Sequence, residues 1–281
     1  MIPSKSFIKQ SNEAGIPFKE VLIIVLYIEH LPYKKETQEI MSTLPTPKTQ
    51  IKAVLFDFMG TCLDWHSSIL PILPSALSQD AKSDFALEWR QTYFDANTTR
   101  LRNGQQPEDI DTTHRRTLLD LLDKHSDIKP LFTQDVQEKA VAAWHRQKAW
   151  PDVSEAIRKL KEERGWEVYV HANGTTRLQL NLVRSSGLKF DMLFSSQLLG
   201  CYKPAPENYL KVLELLKLRP EECVTVAAHA SDLRGAKAVG MKTVYVRRWT
   251  DDILEDQELI RRENDAYLED MRELDEAISR L

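Results

Sequence analysis

The sequence predicts an α/β protein, a doubly wound parallel sheet interrupted after its first strand by an inserted α-helical cap domain. Three observations predict it. Residues 51–58 (IKAVLFDF) form a compact β-prone run that includes an acid, as expected of a strand buried on both faces. Between Ser67 and Trp150 no second run of that kind occurs, and apolar residues recur at helical spacing instead. After Pro151 helix and strand signals alternate, which requires crossover connections and hence a parallel sheet with helices on both faces.

Taken in order, residues 1–48 share no pattern with the rest of the chain and are read as an N-terminal extension, disordered, with Met41 standing just ahead of a polar lead-in (STLPTPKTQ). The core comprises 49–66 and 150–250. The cap, 67–149, is expected to hold helices carrying Leu87, Trp89, Tyr93 and Phe94, then Leu118 to Leu122, then Val136 to Trp144. The core then continues with a helix from Val153 to Arg164, a strand over 166–172, a helix from Thr176 to Ser186 and a strand from Met192 to Ser195. The last repeats are a helix from Pro206 to Leu216, a strand over 223–228, a helix from Leu233 to Val239 and a strand over 242–246. Residues 251–281 are densely charged, with Leu, Ile and Met at helical intervals, and are read as a tail helix packing on the core. An insert leaving the first strand must lie over the carboxyl edge of the sheet, where such folds bind ligands.

At 281 residues, 42% hydrophobic and 28% charged, the chain can bury a sizeable core and add a smaller second domain. A net charge of −4, with no Lys/Arg cluster mixed with aromatics, argues against nucleic acid and for a small-molecule substrate. The apolar run from Val21 to Ile28 is far shorter than the ~20 residues of a spanning helix, so no membrane association is expected. Three widely spaced cysteines without a CxxC pair suggest reduced thiols and a cytoplasmic location.

The chemistry is expected at the strand ends. Asp57 follows an apolar strand and precedes Met59, Gly60 and Thr61, so it is either a nucleophilic carboxylate or a capping residue. Lys203 lies between residues stiffened by Pro204 and Pro206, where a fixed ammonium would keep Asp57 ionised; a solvated surface lysine is the other reading. Asp232 follows the strand over 223–228 at the carboxyl edge and has a complete structural explanation as a helix N-cap. Asn173-Gly174 ends a further strand, and helix amino ends there can meet an anion. His66 is assigned to shaping the entry to the cap and His171 to the core, while Trp65, Trp89, Trp144 and Trp150 are either pocket walls or plain core.

The ordered set FDFMGTCLDWHS (56–67), WRQ (89–91), ANG (172–174), YKPAPENY (202–209) and AAHASDLRGA (227–236) resembles the haloacid dehalogenase superfamily. It looks most like the type II 2-haloacid dehalogenases, over residues 51 to about 250. The resemblance implies a Rossmann-like core, an Asp57 nucleophile forming a covalent ester, and an Arg90 that captures the leaving halide. It places Thr61, Asn173, Lys203, Tyr209 and Asp232 at the other active-site positions, with Thr61, Arg90, Asn173 and Tyr209 as substrate-binding residues, no cofactor, and a homodimer as the assembly considered. Phosphatases of the superfamily use an acid two residues after the nucleophile and a further Mg²⁺-ligating aspartate; Met59 and Ala228 stand at those positions. Only Asp57 and Asp232 would remain to hold Mg²⁺ in the phosphatase alternative, and a silent binding protein is the third reading. Ala172 and Ala227 replace serines of the dehalogenase pattern and His229 replaces an asparagine, so His229 is expected either to position or deprotonate water, or to bond to a loop backbone.

Overall fold

The computed structural model describes residues 50–105 and 108–281. The expectation for residues 1–48 lies outside the described residues. The chain opens with β1 (Ala53–Phe56) and a two-residue strand, β2 (Leu63–Asp64), then enters the cap through α1 (Trp65–Ile69). The cap continues with α2 (Gln79–Arg102), α3 (Ile110–Lys124) and α4 (Gln134–Ala143) and returns through β3 (Lys148–Ala149), which pairs antiparallel with β2. Each long cap helix starts on a side chain that accepts an amide of its open first turn: Ser78 for α2, Asp109 for α3 and Thr133 for α4.

The core resumes with α5 (Val153–Arg158), which runs on into a π-helical turn, then β4 (Glu167–Ala172), α6 (Thr176–Ser186) and β5 (Met192–Ser195). There follow α7 (Pro206–Leu216), β6 (Cys223–Ala227), α8 (Ala230–Ala238) and β7 (Lys242–Val246). Last come α9 (Gln257–Glu263), β8 (Ala266–Leu268) and α10 (Leu274–Ser279). The six-stranded sheet has the order β5-β4-β1-β6-β7-β8, and every neighbouring pair is parallel.

Alternation along the central strands divides the core between the two faces of the sheet. Val54 and Phe56 of β1, with Val168, Val170, Val224 and Val226, pack against Val153, Ile157, Leu178 and Leu182 of the helices on one side. Ala53, Leu55 and Tyr169 face Tyr209, Val212 and Ala236 on the other. The cap has its own apolar centre, in which Trp65 stacks on Trp144 with centroids 5.4 Å apart and Trp89 meets Trp144 edge-on.

Three expectations need correction. The cap is not strandless, because β3 pairs with β2 as a short ribbon at the cap's base; two residues are too few to show a period of two. Residues 251–281 are not one tail helix. They form two short helices around β8, which extends the sheet by pairing with the edge of β7, and their charged sequence masks that strand. Asp232 does not cap its helix, since α8 starts at Ala230 with His229 at the N-cap position. Among the described residues no helix is long and apolar enough to cross a membrane.

Candidate active site

Four strand ends meet beneath the cap. Asp57 directly follows β1, and its backbone N–H is held by the carbonyl of Val226 in β6 (3.0 Å). Its Oδ1 accepts from Lys203 Nζ (3.0 Å) and its Oδ2 from Thr61 Oγ1 (2.7 Å), while His229 Nδ1 lies 2.9 Å from the same Oδ2. The residue is 8% exposed and lines a pocket of about 190 Å³, so the carboxylate is desolvated yet reachable. Burial pushes its pKa up, but the Lys203 and His229 charges and the hydrogen bonds from His229 and Thr61 outweigh burial and hold it well below the usual carboxylate range. The capping reading of Asp57 is thereby replaced by an ionised group bonded to side chains.

Lys203 bridges Asp57 to Asp232, with Nζ 2.5 Å from Asp232 Oδ2, and also donates to the carbonyl of His171 at the end of β4 (2.7 Å). Burial alone would lower the ammonium pKa, and the two carboxylates raise it instead. Asp232 is raised by its own burial and by the Asp57 charge, with Lys203 pulling the other way. The surface reading of Lys203 therefore fails: 6% exposed, it is the buried centre of an aspartate–lysine–aspartate chain.

The eight predicted site residues gather here, but several do other work than expected. Tyr209 is fully buried behind Asp232, donating its hydroxyl to Asp232 Oδ1 (2.7 Å), and it does not line the pocket. Thr61 receives the N–H of Ala228 and gives its hydroxyl proton to Asp57, so it joins the ends of β1 and β6 and also stays off the pocket wall. Asn173 clamps the backbone of Lys203, accepting its N–H (2.9 Å) and donating to its carbonyl (3.0 Å). Thr61 and Tyr209 are thus positioning residues rather than substrate binders, while Asn173 positions Lys203 and also contributes to the pocket wall.

Arg90 comes down from α2 and faces the same pocket. Its guanidinium sits among the rings of Phe94 (4.4 Å), Trp65 and Trp144 (5.5 Å each) and Tyr93 (5.7 Å), so aromatic faces replace much of its solvation. Nη1 donates to Met59 Sδ (3.2 Å), Nη2 stands 3.7 Å from Asp251 Oδ1, and Nε is buried without an acceptor. Such a cation suits a weakly hydrated anion. Trp65, Trp89 and Trp144 are cap core, and none of the four tryptophans lines the pocket; Trp144 acts on it through Arg90, and Trp65 through Arg90 and through Asp251.

His229 does not bond to loop backbone. Its Nδ1 meets Asp57 and its Nε2 meets Asp251 Oδ1 (3.0 Å), so both nitrogens donate to carboxylates. Against the effect of burial, these two charges raise its pKa to about 10. With a carboxylate on each nitrogen, the ring is held in its imidazolium form. His171, with Nε2 on Asn208 Oδ1 (2.5 Å), is lowered to about 3 by burial and by Lys203 and stays neutral in the core. His66 bonds to Ser83 at the start of the cap, as expected.

Asp251 is a site residue that sequence reasoning missed. Its partners lie as far as 186 positions away in the chain, and the only local signal is an acid just past the last predicted core strand.

The residues do not fit a divalent cation. His229 occupies Asp57 Oδ2 with a positive charge, Ala228 supplies no oxygen from its side chain, and Asp232 is paired with Lys203 and takes a hydrogen bond from Tyr209. Among the described residues no cluster of three His, Cys, Asp or Glu side chains is arranged to hold a metal.

A parallel sheet that carries a buried, ionised aspartate at its carboxyl edge, under an inserted helical domain, defines a capped α/β hydrolase. The chain belongs to the haloacid dehalogenase-like hydrolase family, whose model matches residues 51–240. It is 27% identical over 201 residues to (S)-2-haloacid dehalogenase 4A of Burkholderia cepacia, covering 70% of this chain and 84% of that protein. The crystal structure of the L-2-haloacid dehalogenase PA0810 is 32% identical, with a TM-score of 0.68 over 82% of this chain and 100% of the other. A phosphoglycolate phosphatase of Nitrosospira multiformis is also similar, at 25% identity over 192 residues, 68% of this chain and 80% of that protein.

Proposed function

We propose that this hydrolase displaces a halide-type leaving group from the α-carbon of a small organic acid through a covalent ester on Asp57, without a cofactor. One observation carries this reading: the Asp57 carboxyl and the Arg90 side chain line the same small pocket. A carboxylate oxygen of Asp57 bonds to the α-carbon as the carbon–halogen bond breaks, and the electron pair leaves with the halide toward Arg90. Lys203 keeps Asp57 ionised until that moment, and water then adds to the Asp57 carbonyl carbon to release the 2-hydroxy acid. Similarity to haloacid dehalogenases supports this order of events. The phosphatase alternative finds no acid at Met59 to protonate a leaving oxygen.

The test is halide release from 2-chloropropionate in the presence of EDTA, followed by single turnover in ¹⁸O-water. Halide release with one label lodged in Asp57 is the expected result. Mg²⁺-dependent phosphate release from an aryl phosphate, with no halide formed, would move the assignment to the phosphatases. Inertness in both assays with ligand binding intact would leave a binding protein.

A further inference from the structure

An aspartyl ester must be hydrolysed, and none of Thr61, Tyr209 or Asn173 is free to take a proton from water, since each is committed to holding Asp57, Asp232 or Lys203. Two nitrogens point at the Asp57 carboxyl: Lys203 Nζ, a protonated amine held between Asp57 and Asp232, and His229 Nδ1, the one of the two whose ring can exchange a proton. Behind it stands Asp251, which lies outside the motifs that resemble the family. Asp251 Oδ2 accepts from Trp65 Nε1 (3.1 Å) and from Thr250 Oγ1 (2.7 Å), leaving Oδ1 for His229 Nε2. The Asp251 side chain is fully buried, and Gly60 makes room for it.

The geometry points to a carboxylate–imidazole relay in which Asp251 is the positioning residue and His229 Nδ1 takes the proton of the water that hydrolyses the Asp57 ester. The relay rests on the aspartyl-ester reading of the site.

The charged groups that face His229 are Asp57, Asp251 and Asp252, with Arg90 behind Asp251 and the Phe94 ring 5.4 Å away. In the free enzyme the imidazolium lies between two carboxylates and is no base. Alkylation of Asp57 removes one of those charges, so the imidazolium releases its Nδ1 proton to solvent while Nε2–H stays on Asp251. Asp251 thus selects the tautomer whose free nitrogen faces the ester, as a buried carboxylate behind a histidine does in hydrolases generally.

Water then bonds to the Asp57 carbonyl carbon and gives one proton to Nδ1. The tetrahedral adduct breaks its carbon–oxygen bond to the product, and the departing alkoxide takes the proton back from Nδ1. The second water proton remains on the regenerated Asp57 carboxyl and passes to Nδ1, restoring the starting state. The net change is one water consumed, with one proton and one halide released.

The experiment is rapid quench with 2-chloropropionate on the full chain, following halide by burst and the Asp57 ester by intact mass. Asp251→Asn should still give a burst near one halide per site, slowed less than about tenfold, while ester decay slows by ~10²-fold or more and the ester accumulates. His229→Gln should accumulate the same ester, and it serves alone if Asp251→Asn does not fold. The double variant should decay no more slowly than His229→Gln, because Asp251 acts through that ring. Equal slowing of both steps, unchanged ester lifetime, or additive losses would overturn the relay. Absence of any halide burst in the wild type would instead overturn the ester reading beneath it.

Discussion

Arg90 and Asp57 show how the same fold treats opposite charges by opposite means. Asp57 keeps its charge because donors replace water around both oxygens. Arg90 keeps its charge among four aromatic rings, which stabilise a cation without using up its N–H donors. Of those donors Nη1 rests on the soft sulfur of Met59 and Nη2 stands 3.7 Å from Asp251, so an incoming anion has weak competitors for the guanidinium. A lysine at position 90 would be a compact, strongly hydrated ammonium that fits neither the ring cage nor the planar contact. We expect Arg90→Lys to cost about 2 kcal/mol of transition-state stabilisation, or roughly thirtyfold in the burst rate of halide formation, with melting temperature nearly unchanged. A burst rate within twofold of wild type would remove Arg90 from the leaving-group site. At this scale the sequence was informative where a residue follows an apolar strand, as Asp57 shows, or where prolines stiffen its surroundings, as Lys203 shows. It misassigned the roles of Thr61 and Tyr209, because a hydroxyl in a motif does not say whether it faces ligand or protein.

Among the elements, the turn between β1 and β2 carries the heaviest geometric demand. Gly60 has φ +87°, and a Cβ there would stand 2.5 Å from Asp251 Oδ1. Both facts require glycine: an L side chain resists that backbone region, and the buried carboxylate cannot yield without dropping His229 or Trp65. Gly60→Ala should therefore destabilise the fold by about 1–3 kcal/mol, read as a shifted urea midpoint, and slow ester decay in step with Asp251→Asn. A variant as stable and fast as wild type would show that the turn has slack. The same turn is pinned from the core side, where Arg248 donates to the carbonyl of Thr61 (3.0 Å), pairs with Asp152 and stacks over Trp150. The entry to the cap is thus fastened by residues 187 positions apart.

Over the whole molecule, His229 ties three separate parts together: the end of β1 through Asp57, the start of α8 through its own backbone, and the loop after β7 through Asp251. Its charge contributes to stability with a definite sign. A histidine whose folded pKa is raised from 6.5 to about 10 binds its proton more tightly in the folded state, so its contribution is complete below pH ~6.5 and is lost as pH rises toward 10. We expect the melting temperature to fall between pH 7 and 10, by an amount on the order of a few kcal/mol in stability, and His229→Asn to flatten that slope. An equally steep alkaline decline in His229→Asn would assign the loss to other groups.

The apolar runs at β1, β4, β6 and β7, and the helical spacing between them, were enough to set a parallel sheet with an inserted cap, because burial on both faces leaves a local composition that neighbours in the chain record. The acids and the lysine near the strand ends were visible as candidates, but the local pattern left a capping or surface reading open for each, and the resemblance singled them out. The state of those groups was settled only by long-range packing: His229 is doubly paired, Asp251 belongs to the site, and β8 joins the sheet through a charged tail. Those outcomes depend on electrostatics and pairing between segments far apart in sequence, and no local pattern encodes which distant partner a carboxylate or an edge strand will meet.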